Sequence, residues 1–393
     1  MDKTLLNIEI QSFINSNLET DVVSLLLKGI PFPSVETKAV IEQIEAKKRC
    51  KVKLPTWFTS SNIYYPNKLN IEQTSSEATA KYKSELINGD SIIDLTGGFG
   101  VDCFYFSKYF KAVTHCEINR ELFEIVAHNY SQLNLNTIVT VNSDGLEYIE
   151  SSKKRFDWIY IDPSRRHDSK GKVFNLKDCL PNVPKHLETY FEKSDNILIK
   201  TSPLLDLSVG ISELKHIKYI HIVAVNNDVK ELLWLLEKSY SEDITIETVN
   251  LKPSNKAQFS FKLHTEPNAD VKYSLPLKYL YEPNAAIMKS GAFNSVSSFY
   301  KLFKLHKHSH LYTSQQLIDF PGRRFRIEKI LPYNKKIIKK ESIRRANITT
   351  RNFPESVQQI RKRFDIKDGG NIFLFFTTNK SDSKIVVICS KIV

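Results

Sequence analysis

Four acidic side chains stand at the ends of four successive apolar runs in the middle of the chain. They are Asp94, Glu117, Asp144 and Asp162. A turn directly after the first acid carries three glycines within four residues, at Gly97, Gly98 and Gly100. Glycine has no Cβ, so a ligand can approach such a backbone closely. A carboxylate ahead of the glycines suits a ligand with a cationic amino group rather than the pyrophosphate of a dinucleotide.

Each of these residues also has a purely structural explanation. An acid at the end of a strand is often a helix cap or a turn residue, and neighbouring glycines can serve a tight turn alone. Four acids at four successive strand ends nevertheless favour a binding site, because ligands of open α/β sheets lie at the carboxyl ends of the strands.

The elements that would position these acids alternate between strand and helix. Strands are predicted at 91–95, 111–118, 138–144, 156–163, 196–202, 219–225 and 243–251. Helical patterns lie between them, among them 120–134 and 228–238. This alternation predicts the α/β class, with a Rossmann-like seven-stranded sheet between two layers of helices.

Composition shifts divide the chain into three predicted parts. Residues 1–71 form an N-terminal helical domain that ends in a loop or linker at 52–70, and 72–252 form the α/β domain. Residues 253–393 form a basic α+β region, with helices at 297–312 and 354–366 and a break near residue 320. No internal repeat of useful length is found.

The overall charge favours an anionic partner. The 393 residues carry a formal net charge of +12, and a surplus of this size suits nucleic acid. A basic protein without a polyanion partner is the alternative. The start of the chain lacks the pattern of a signal peptide, and no apolar stretch is long enough to span a membrane. Five scattered cysteines without a C-x-x-C pair point to a reduced, cytoplasmic setting.

The cationic surplus is concentrated at 321–364. The candidate RNA-contacting residues in this segment are Arg323, Arg324, Lys335, Lys336, Arg344, Arg345, Arg361 and Arg363. Aromatic residues are interleaved with them, at Phe325, Tyr333, Phe353 and Phe364. Cations for phosphates and rings for stacking are typical of RNA-binding surfaces, although a charge run is usually a solvated face. The alternating His306, His308 and His310 would not share one face of the predicted helix, so we predict no metal site.

At "DLTGGFG" the chain resembles the class I S-adenosylmethionine-dependent methyltransferases, with Thr96 where many members have glycine. The resemblance covers roughly residues 72–250 and implies S-adenosylmethionine as cofactor, bound at the glycine turn by Asp94, Thr96, Gly97, Gly98 and Gly100. It further implies that Glu117 holds the ribose hydroxyls, Asp144 meets the adenine amino group and Asp162 lies beside the departing methyl group. Gln73, Thr74 and Ser75 are the implied contacts of the methionine end.

In the family that the chain resembles, the residues after the fourth strand usually select the methyl acceptor. In "DPSRR", Ser164 and Arg165 replace the second proline and the aromatic residue of relatives that methylate exocyclic base amines. No cysteine follows the fifth strand closely, which disfavours covalent C5 chemistry. We therefore expect direct methyl transfer with Asp162, Arg165 and Lys200 as catalytic residues. Arg166, together with Arg165, would clamp a substrate phosphate, with an arginine paired to Asp168 as the alternative.

Taken whole, the chain resembles a bacterial group of methyltransferases with a C-terminal THUMP-like domain. The carrying residues are "DLTGGFGVD", "IDPSRR" and "ANITTRNFPESVQQIRKRFDIKDGG". The resemblance implies an RNA substrate, either tRNA or rRNA. A non-catalytic RNA-binding protein with a vestigial fold and a small-molecule methyltransferase are the alternatives.

Overall fold

The computed structural model of the protein describes residues 1–165 and 175–392, and only the backbone at Arg165. Its contacts divide the chain into two compact units. The first comprises Met1–Lys218 and Lys230–Ser241, and the second comprises Tyr219–Val229 and Glu242–Val393. Within the described residues, no helix is long and apolar enough to cross a membrane.

The first unit begins with short helices. They are α1 (Ile8–Ser16), α2 (Val22–Lys28), α3 (Thr37–Lys53), α4 (Pro55–Thr59) and α5 (Lys68–Gln73). The linker or surface loop predicted at 52–70 is wrong in part, because this stretch contains the end of α3, all of α4 and the start of α5, and only Leu54 and residues 60–67 lack regular secondary structure. Trp57 in α4 and Tyr65 after it are buried, and the side-chain amide of Gln43 bonds both the N–H and the C=O of Tyr65. Burial of these two aromatic rings outweighs the Pro, Ser and Asn that favoured a loop.

The α/β part of the first unit follows. Its strands are β1 (Ser91–Asp94), β2 (Ala112–Cys116), β3 (Ile138–Val141), β4 (Trp158–Ile161), β5 (Ser164–Arg165), β6 (Cys179–Leu180), β7 (Asn196–Thr201) and β9 (Asp228–Glu237). Strand β8 (Ile217–Val225) lies mainly in the second unit. The helices are α6 (Glu77–Leu86), α7 (Val101–Phe106), α8 (Arg120–Gln132), α9 (Gly145–Ser151), α10 (Val183–Lys193) and α11 (Leu207–Glu213).

Within the first unit, six strands are neighbours in the order β9-β7-β4-β1-β2-β3. Neighbours are parallel from β7 to β3, and β9 runs antiparallel to β7. The central strands β1, β4 and β7 are almost entirely buried, as expected for parallel strands covered on both faces. Parallel order brings the carboxyl ends of β1 to β4 to one edge, so the four acids are collected there.

One predicted helix in this part is wrong. Residues 228–238 form strand β9, in which Leu232, Leu233, Trp234, Leu235 and Leu236 are buried in succession. A continuous buried run of this kind is consistent with a strand packed on both faces. The signal that was missed is the Asn226–Asn227 pair, because both residues have positive φ (51° and 67°) in the two-residue turn before β9.

The second unit contains two groups of strands. Strand β8 pairs in parallel with β10 (Thr245–Leu251), which pairs antiparallel with β11 (Lys256–Lys262). The other strands are β12 (Tyr279–Pro283), β13 (Phe303–Lys304), β14 (Tyr312–Ser314), β15 (Gly322–Pro332), β16 (Asn347–Arg351), β17 (Ile372–Thr378) and β18 (Lys384–Ile392), ordered β13-β14-β12-β15-β18-β17-β16. The helices are α12 (Thr265–Asn268), α13 (Ala285–Ser290), α14 (Phe293–Phe299), α15 (Lys335–Lys340) and α16 (Val357–Phe364).

The helix predicted at 297–312 is also wrong. Helix α14 ends at Phe299, and Lys301 takes a left-handed backbone conformation with φ of 52°. Strands β13 and β14 follow, and the three histidines lie in the loop between them. The helix predicted at 354–366 is confirmed as α16. The α/β class, the N-terminal helical region and the C-terminal α+β region are likewise confirmed.

Candidate active site

A cavity of about 1080 Å³ opens at the carboxyl edge of the sheet in the first unit. Eleven residues proposed from the sequence line it: Gln73, Thr74, Ser75, Asp94, Thr96, Gly97, Gly98, Glu117, Asp144, Asp162 and Lys200. Small-molecule pockets usually enclose about 300–1,000 Å³. The cavity is therefore large enough for a nucleoside cofactor together with part of an acceptor.

The glycine turn packs directly onto strand β2. The N–H of Gly97 donates to the Cys116 carbonyl at 2.8 Å. A Cβ at Gly97 would lie 2.7 Å from that oxygen and closer still to the His115 ring. Gly98 has φ of +56°, but a Cβ there would meet nothing nearer than 3.7 Å. The turn thus depends on glycine for space at Gly97 and for backbone conformation at Gly98.

Gly100 stands apart from the other glycines. It has φ of +78°, and its carbonyl accepts a hydrogen bond from the Tyr130 hydroxyl at 2.9 Å. A Cβ there would strike the Tyr130 ring, with 2.7 Å to Cζ. Gly100 is not among the cavity-lining residues, so the structure places it against helix α8 rather than against a ligand.

Asp94 is a buried carboxyl at the end of β1. Its Oδ1 accepts from the N–H of Thr96 at 2.9 Å and from the Thr96 hydroxyl at 3.1 Å, and its Oδ2 accepts from the Cys103 thiol at 3.4 Å. Burial raises the pKa of Asp94 to about 7, and the Thr96 N–H only partly opposes this shift. The Thr96 hydroxyl also accepts the N–H of Asp162 at 2.7 Å. Threonine at this position therefore ties the ends of β1 and β4 together.

Glu117 and Asp144 follow the ends of β2 and β3. Glu117 accepts the N–H of Gly98 at 2.9 Å and the N–H of Asn119 at 2.7 Å, so its carboxylate braces the glycine turn. Asp144 caps helix α9, accepting the N–H of Leu146 at 2.8 Å. Asp144 therefore has the structural role of a helix cap, and it also lines the cavity.

Two apolar residues at this side of the cavity were missed by sequence reasoning. Ile118 is 68% exposed although it follows the buried Glu117, and Leu146 lines the same wall. The signal in the sequence was an isoleucine directly after the acid that ends the second strand, and the structure shows that it leaves a flat apolar contact open. Gly145 was missed too: a Cβ there would lie 2.7 Å from the Leu95 Cα, so α9 begins in close contact with the end of β1.

A buried charge network lies behind the cavity and was also missed. The Lys83 ammonium is fully buried and contacts Ser75 Oγ at 2.8 Å, Asp102 Oδ1 at 3.0 Å and Glu231 Oε2 at 3.0 Å. Asp102 Oδ2 accepts from Ser75 at 2.8 Å and from the Tyr160 hydroxyl at 2.9 Å. Burial opposes the charge of Asp102, but Lys83 and Lys200 outweigh it and lower the pKa of this carboxyl.

Asp162 and Lys200 form an ion pair at the rim of the cavity, at the ends of β4 and β7. Burial opposes the charge of Lys200, but Asp162, Glu231 and Asp102 outweigh it and raise the pKa of the ammonium above its ordinary value. The backbone of Arg165 pairs with Cys179 in the β5–β6 ribbon. Arg166 and Asp168 lie outside the described residues.

The residues present fit S-adenosylmethionine. The Gly97–Gly98 backbone lines the cavity, the carboxylates of Asp94 and Asp102 suit an ammonium and a sulfonium, and Glu117 can accept from ribose hydroxyls. Asp94, Cys103 and His115 are also close enough to hold an ion, with candidate ligand atoms within 4.8 Å of one another. The Cys103 thiol donates to Asp94 and His115 Nδ1 contacts the Tyr130 hydroxyl, whereas His115 Nε2 is buried without a hydrogen-bond partner.

In the second unit, half of the predicted RNA-contacting cations are paired with carboxylates. Arg323 pairs with the buried Glu282, Arg324 with Asp319, Arg361 with Asp368 and Arg363 with Glu355. Lys335, Lys336, Arg344 and Arg345 are exposed. The interleaved rings are part of the core: Phe325 and Phe364 are buried, and Tyr333 and Phe353 pack against the same cluster as Phe364.

Three family models match separate segments of the chain. A family model described as conserved hypothetical protein 95 matches residues 66–202. A ferredoxin-like domain model matches 279–321, and a model described as THUMP domain-like matches 322–391. No significant match is found among curated proteins.

Solved structures extend the similarity to the full length. A crystal structure from Porphyromonas gingivalis W83, of a protein described as a methyltransferase, is 31% identical, covers 100% of both chains and has a TM-score of 0.89. M. capricolum TrmK bound to S-adenosylhomocysteine is 19% identical over 42% of this chain and 70% of its own, with a TM-score of 0.33. The M. jannaschii tRNA m1G37 methyltransferase is 12% identical over 42% and 51%, with a TM-score of 0.30. With the THUMP-like match, the full-length similarity shows that this chain belongs to the class I S-adenosylmethionine-dependent methyltransferases that carry a C-terminal THUMP-like domain.

Proposed function

We propose that this enzyme transfers a methyl group from S-adenosylmethionine directly to an RNA, either a tRNA or an rRNA. The observation that carries the proposal is the cavity at the edge of the sheet, which collects eleven residues chosen from the sequence. The exposed cations of the second unit support an RNA acceptor. All five cysteines are buried and free, which supports a cytoplasmic setting.

The cofactor supplies an electrophilic methyl group on a sulfonium, and the residues of the chain orient the groups around it. We assign Asp94 to the amino end, Gln73, Thr74 and Ser75 to the rest of the methionine end, Glu117 to the ribose and Asp144 to the adenine, with Ile118 against the ring. Thr96 and Gly97 support the turn, and Gly98 presents its backbone. Gly100 supports the turn from behind, against Tyr130.

Asp162 is the proposed catalytic residue. It lies at the cavity rim, and its backbone is fixed by Thr96 while its carboxylate is paired with Lys200. Because Asp162 and its neighbouring carboxylates raise the pKa of Lys200, the lysine stays charged and cannot act as a base. Asp162 is left to orient the acceptor group and accept its proton. Arg165 and Arg166 remain candidates for a substrate phosphate.

Each of the three segments of the chain would have a separate role. We propose that 1–71 supports the methionine-end wall, 72–252 carries the chemistry and 253–393 holds RNA, with a functional break near residue 320. A contact in the first unit supports the first role: Lys53 in α3 donates to the carbonyls of Ile71 and Glu72, both at 2.8 Å. These carbonyls end helix α5, directly before Thr74 and Ser75.

The RNA surface would contact phosphates rather than stack on bases. Its exposed cations are Lys335, Lys336, Lys339, Lys340, Arg344, Arg345 and Lys362, on α15, the segment after it and α16. The four interleaved rings are committed to the core. Lysines are strong phosphate contacts with little base specificity, so shape and backbone would dominate recognition.

Neutralising three lysines of α15 tests this surface. We expect Lys335→Gln, Lys336→Gln and Lys339→Gln together to weaken RNA binding about tenfold or more at low salt. The slope of log K against log salt should become shallower by about 0.7–0.9 for each phosphate that the variant no longer binds. The measurement is a salt titration of binding to total tRNA and rRNA. The control changes three exposed lysines of the first unit, Lys3, Lys28 and Lys38, and equal losses in both variants would contradict a localised surface. Failure of the wild type to retain any RNA at low salt would favour a small-molecule acceptor.

Cofactor binding should weaken in acid. Burial raises the pKa of Asp94 to about 7, and an ammonium binds the ionised carboxylate. We therefore expect the affinity for S-adenosylmethionine to be level above pH 7 and to fall about tenfold per unit well below it. Calorimetric titrations from pH 5.5 to 8.5 measure this, and Asp94→Asn should bind weakly with a flat profile. An affinity that rises in acid would contradict the assignment of Asp94.

The raised pKa of Asp94 also affects the pH dependence of the stability of the ligand-free protein. The folded pKa of Asp94 lies above its ordinary value of 3.8, so the folded state binds the proton more tightly. Its contribution to stability is full below pH 3.8 and is lost as the pH rises through about 7. Asp94→Asn should therefore cost less stability, or gain some, as the pH is raised from 5 to 8.

A further inference from the structure

The buried network behind the cavity carries one more carboxylate than its ammonium groups require. Lys83 is fully buried and contacts both Asp102 and Glu231. The other ammonium, Lys200, is paired with Asp162. One carboxylate would be enough to neutralise the charge of Lys83, although its ammonium has three partners, Ser75, Asp102 and Glu231. Glu231, only 2% exposed, is therefore a surplus negative charge.

A surplus buried charge is costly unless a cation joins it. The exposed lysines at the cavity rim, Lys185 and Lys230, are screened by water and salt much more than the buried groups. Burial raises the pKa of Glu231, an effect that Lys83 and Lys200 oppose. A cationic ligand in the cavity would hold Glu231 in its ionised form. The network thus has the charge that fits a cation entering beside Asp102.

The methyl donor and its product differ by one charge, at the sulfur. S-adenosylmethionine carries a sulfonium, and loss of the methyl group to the acceptor leaves the sulfur as a neutral thioether. We propose, on the basis of the cofactor site assigned above, that Glu231 is a specificity-determining residue that favours the methyl donor over the demethylated product. It acts through charge alone, because it does not line the cavity.

The geometry supports action at short range. Glu231 Oε2 and Asp102 Oδ1 share the Lys83 ammonium, each at 3.0 Å, and Asp102 lines the cavity. Only the Lys83 ammonium therefore separates the carboxylate of Glu231 from that of Asp102. The intervening medium is buried protein, where a charge acts more strongly than across water. Selection for the charged cofactor would speed release of the spent one.

The test compares the dissociation constants of S-adenosylmethionine and S-adenosylhomocysteine by calorimetry at pH 7.5. The wild type should bind the donor at least about threefold more tightly than the product. Glu231→Gln keeps the shape and removes the charge, so this preference should fall about threefold or more. Lys83→Gln removes the opposite charge, and the preference should rise. A general packing defect would weaken both ligands alike and leave the ratio unchanged.

A control variant on the same strand separates an effect of Glu231 from a general effect of removing a carboxylate. Glu237→Gln, on the same strand but paired at the surface with Lys218, should leave the ratio as in the wild type. An unchanged ratio in a folded Glu231→Gln protein would overturn the inference. If that variant does not fold, a wild type that binds the product as tightly as the donor would overturn it equally. A wild type that binds neither ligand would instead refute the cofactor site itself.

Discussion

Replacing Gly97 with alanine should abolish most of the binding of S-adenosylmethionine. The new Cβ would lie 2.7 Å from the Cys116 carbonyl and against the ring of His115. Both neighbours are buried, so the turn must move away from β2. Overpacking of this kind costs about 1–3 kcal/mol. We expect an affinity loss of about tenfold to a hundredfold, measured by calorimetry on protein whose melting temperature is recorded in parallel.

Gly98→Ala is the matched comparison for this prediction. Gly98 has φ of +56°, but an added Cβ meets nothing closer than 3.7 Å. The variant should therefore show a modest loss of stability from the left-handed backbone and a smaller loss of affinity than Gly97→Ala. A Gly97→Ala protein that binds the cofactor as well as the wild type would show that the turn does not cradle it.

Replacing Asp162 with asparagine should stop methyl transfer while leaving cofactor binding largely intact. Asparagine keeps the side-chain size and can still accept a hydrogen bond, but it cannot take the proton of the acceptor group. General base catalysis typically contributes about 10²–10⁴-fold to the rate. We expect a fall of that size in the single-turnover rate of methyl transfer to RNA, with a much smaller change in the dissociation constant of S-adenosylmethionine.

The same strand offers a control at its other end. Asp157 precedes β4 and accepts the N–H groups of Asp90 and Ser91, both at 2.8 Å, at the edge of the sheet opposite the cavity. Asp157→Asn should affect stability and leave the rate per folded molecule unchanged. Equal rate losses in both variants would mean that Asp162 supports the sheet rather than the chemistry.

The strand ends of the site were predictable because each lies in a local pattern. Buried parallel strands read as continuous apolar runs, so β1 and β4 and the acids after them stand out in the sequence. Strand β9 is antiparallel but also contains a continuous buried apolar run, and its leucines match a helical pattern as well. Periodicity alone does not separate a short buried helix from a buried strand, and the Asn226–Asn227 turn was the deciding signal.

The charge network was not predictable because its members are far apart in sequence. Lys83 lies 148 residues from Glu231, and within helix α6 it looks like an ordinary solvated lysine. The same applies to the C-terminal arginines. Arg323 pairs with Glu282, 41 residues earlier, so a dense run of cations in the sequence overstates the charge that is free at the surface.

The proposed methylation of RNA can be measured directly with purified enzyme. RNA from cells that lack the protein is incubated with purified enzyme and S-adenosylmethionine labelled with tritium in the methyl group. We expect label in one tRNA or rRNA species, little label in RNA from wild-type cells, which already carries the modification, and a rate of labelling about 10²–10⁴-fold lower with Asp162→Asn. Absence of label from every RNA, with enzyme that binds the cofactor normally, would contradict it.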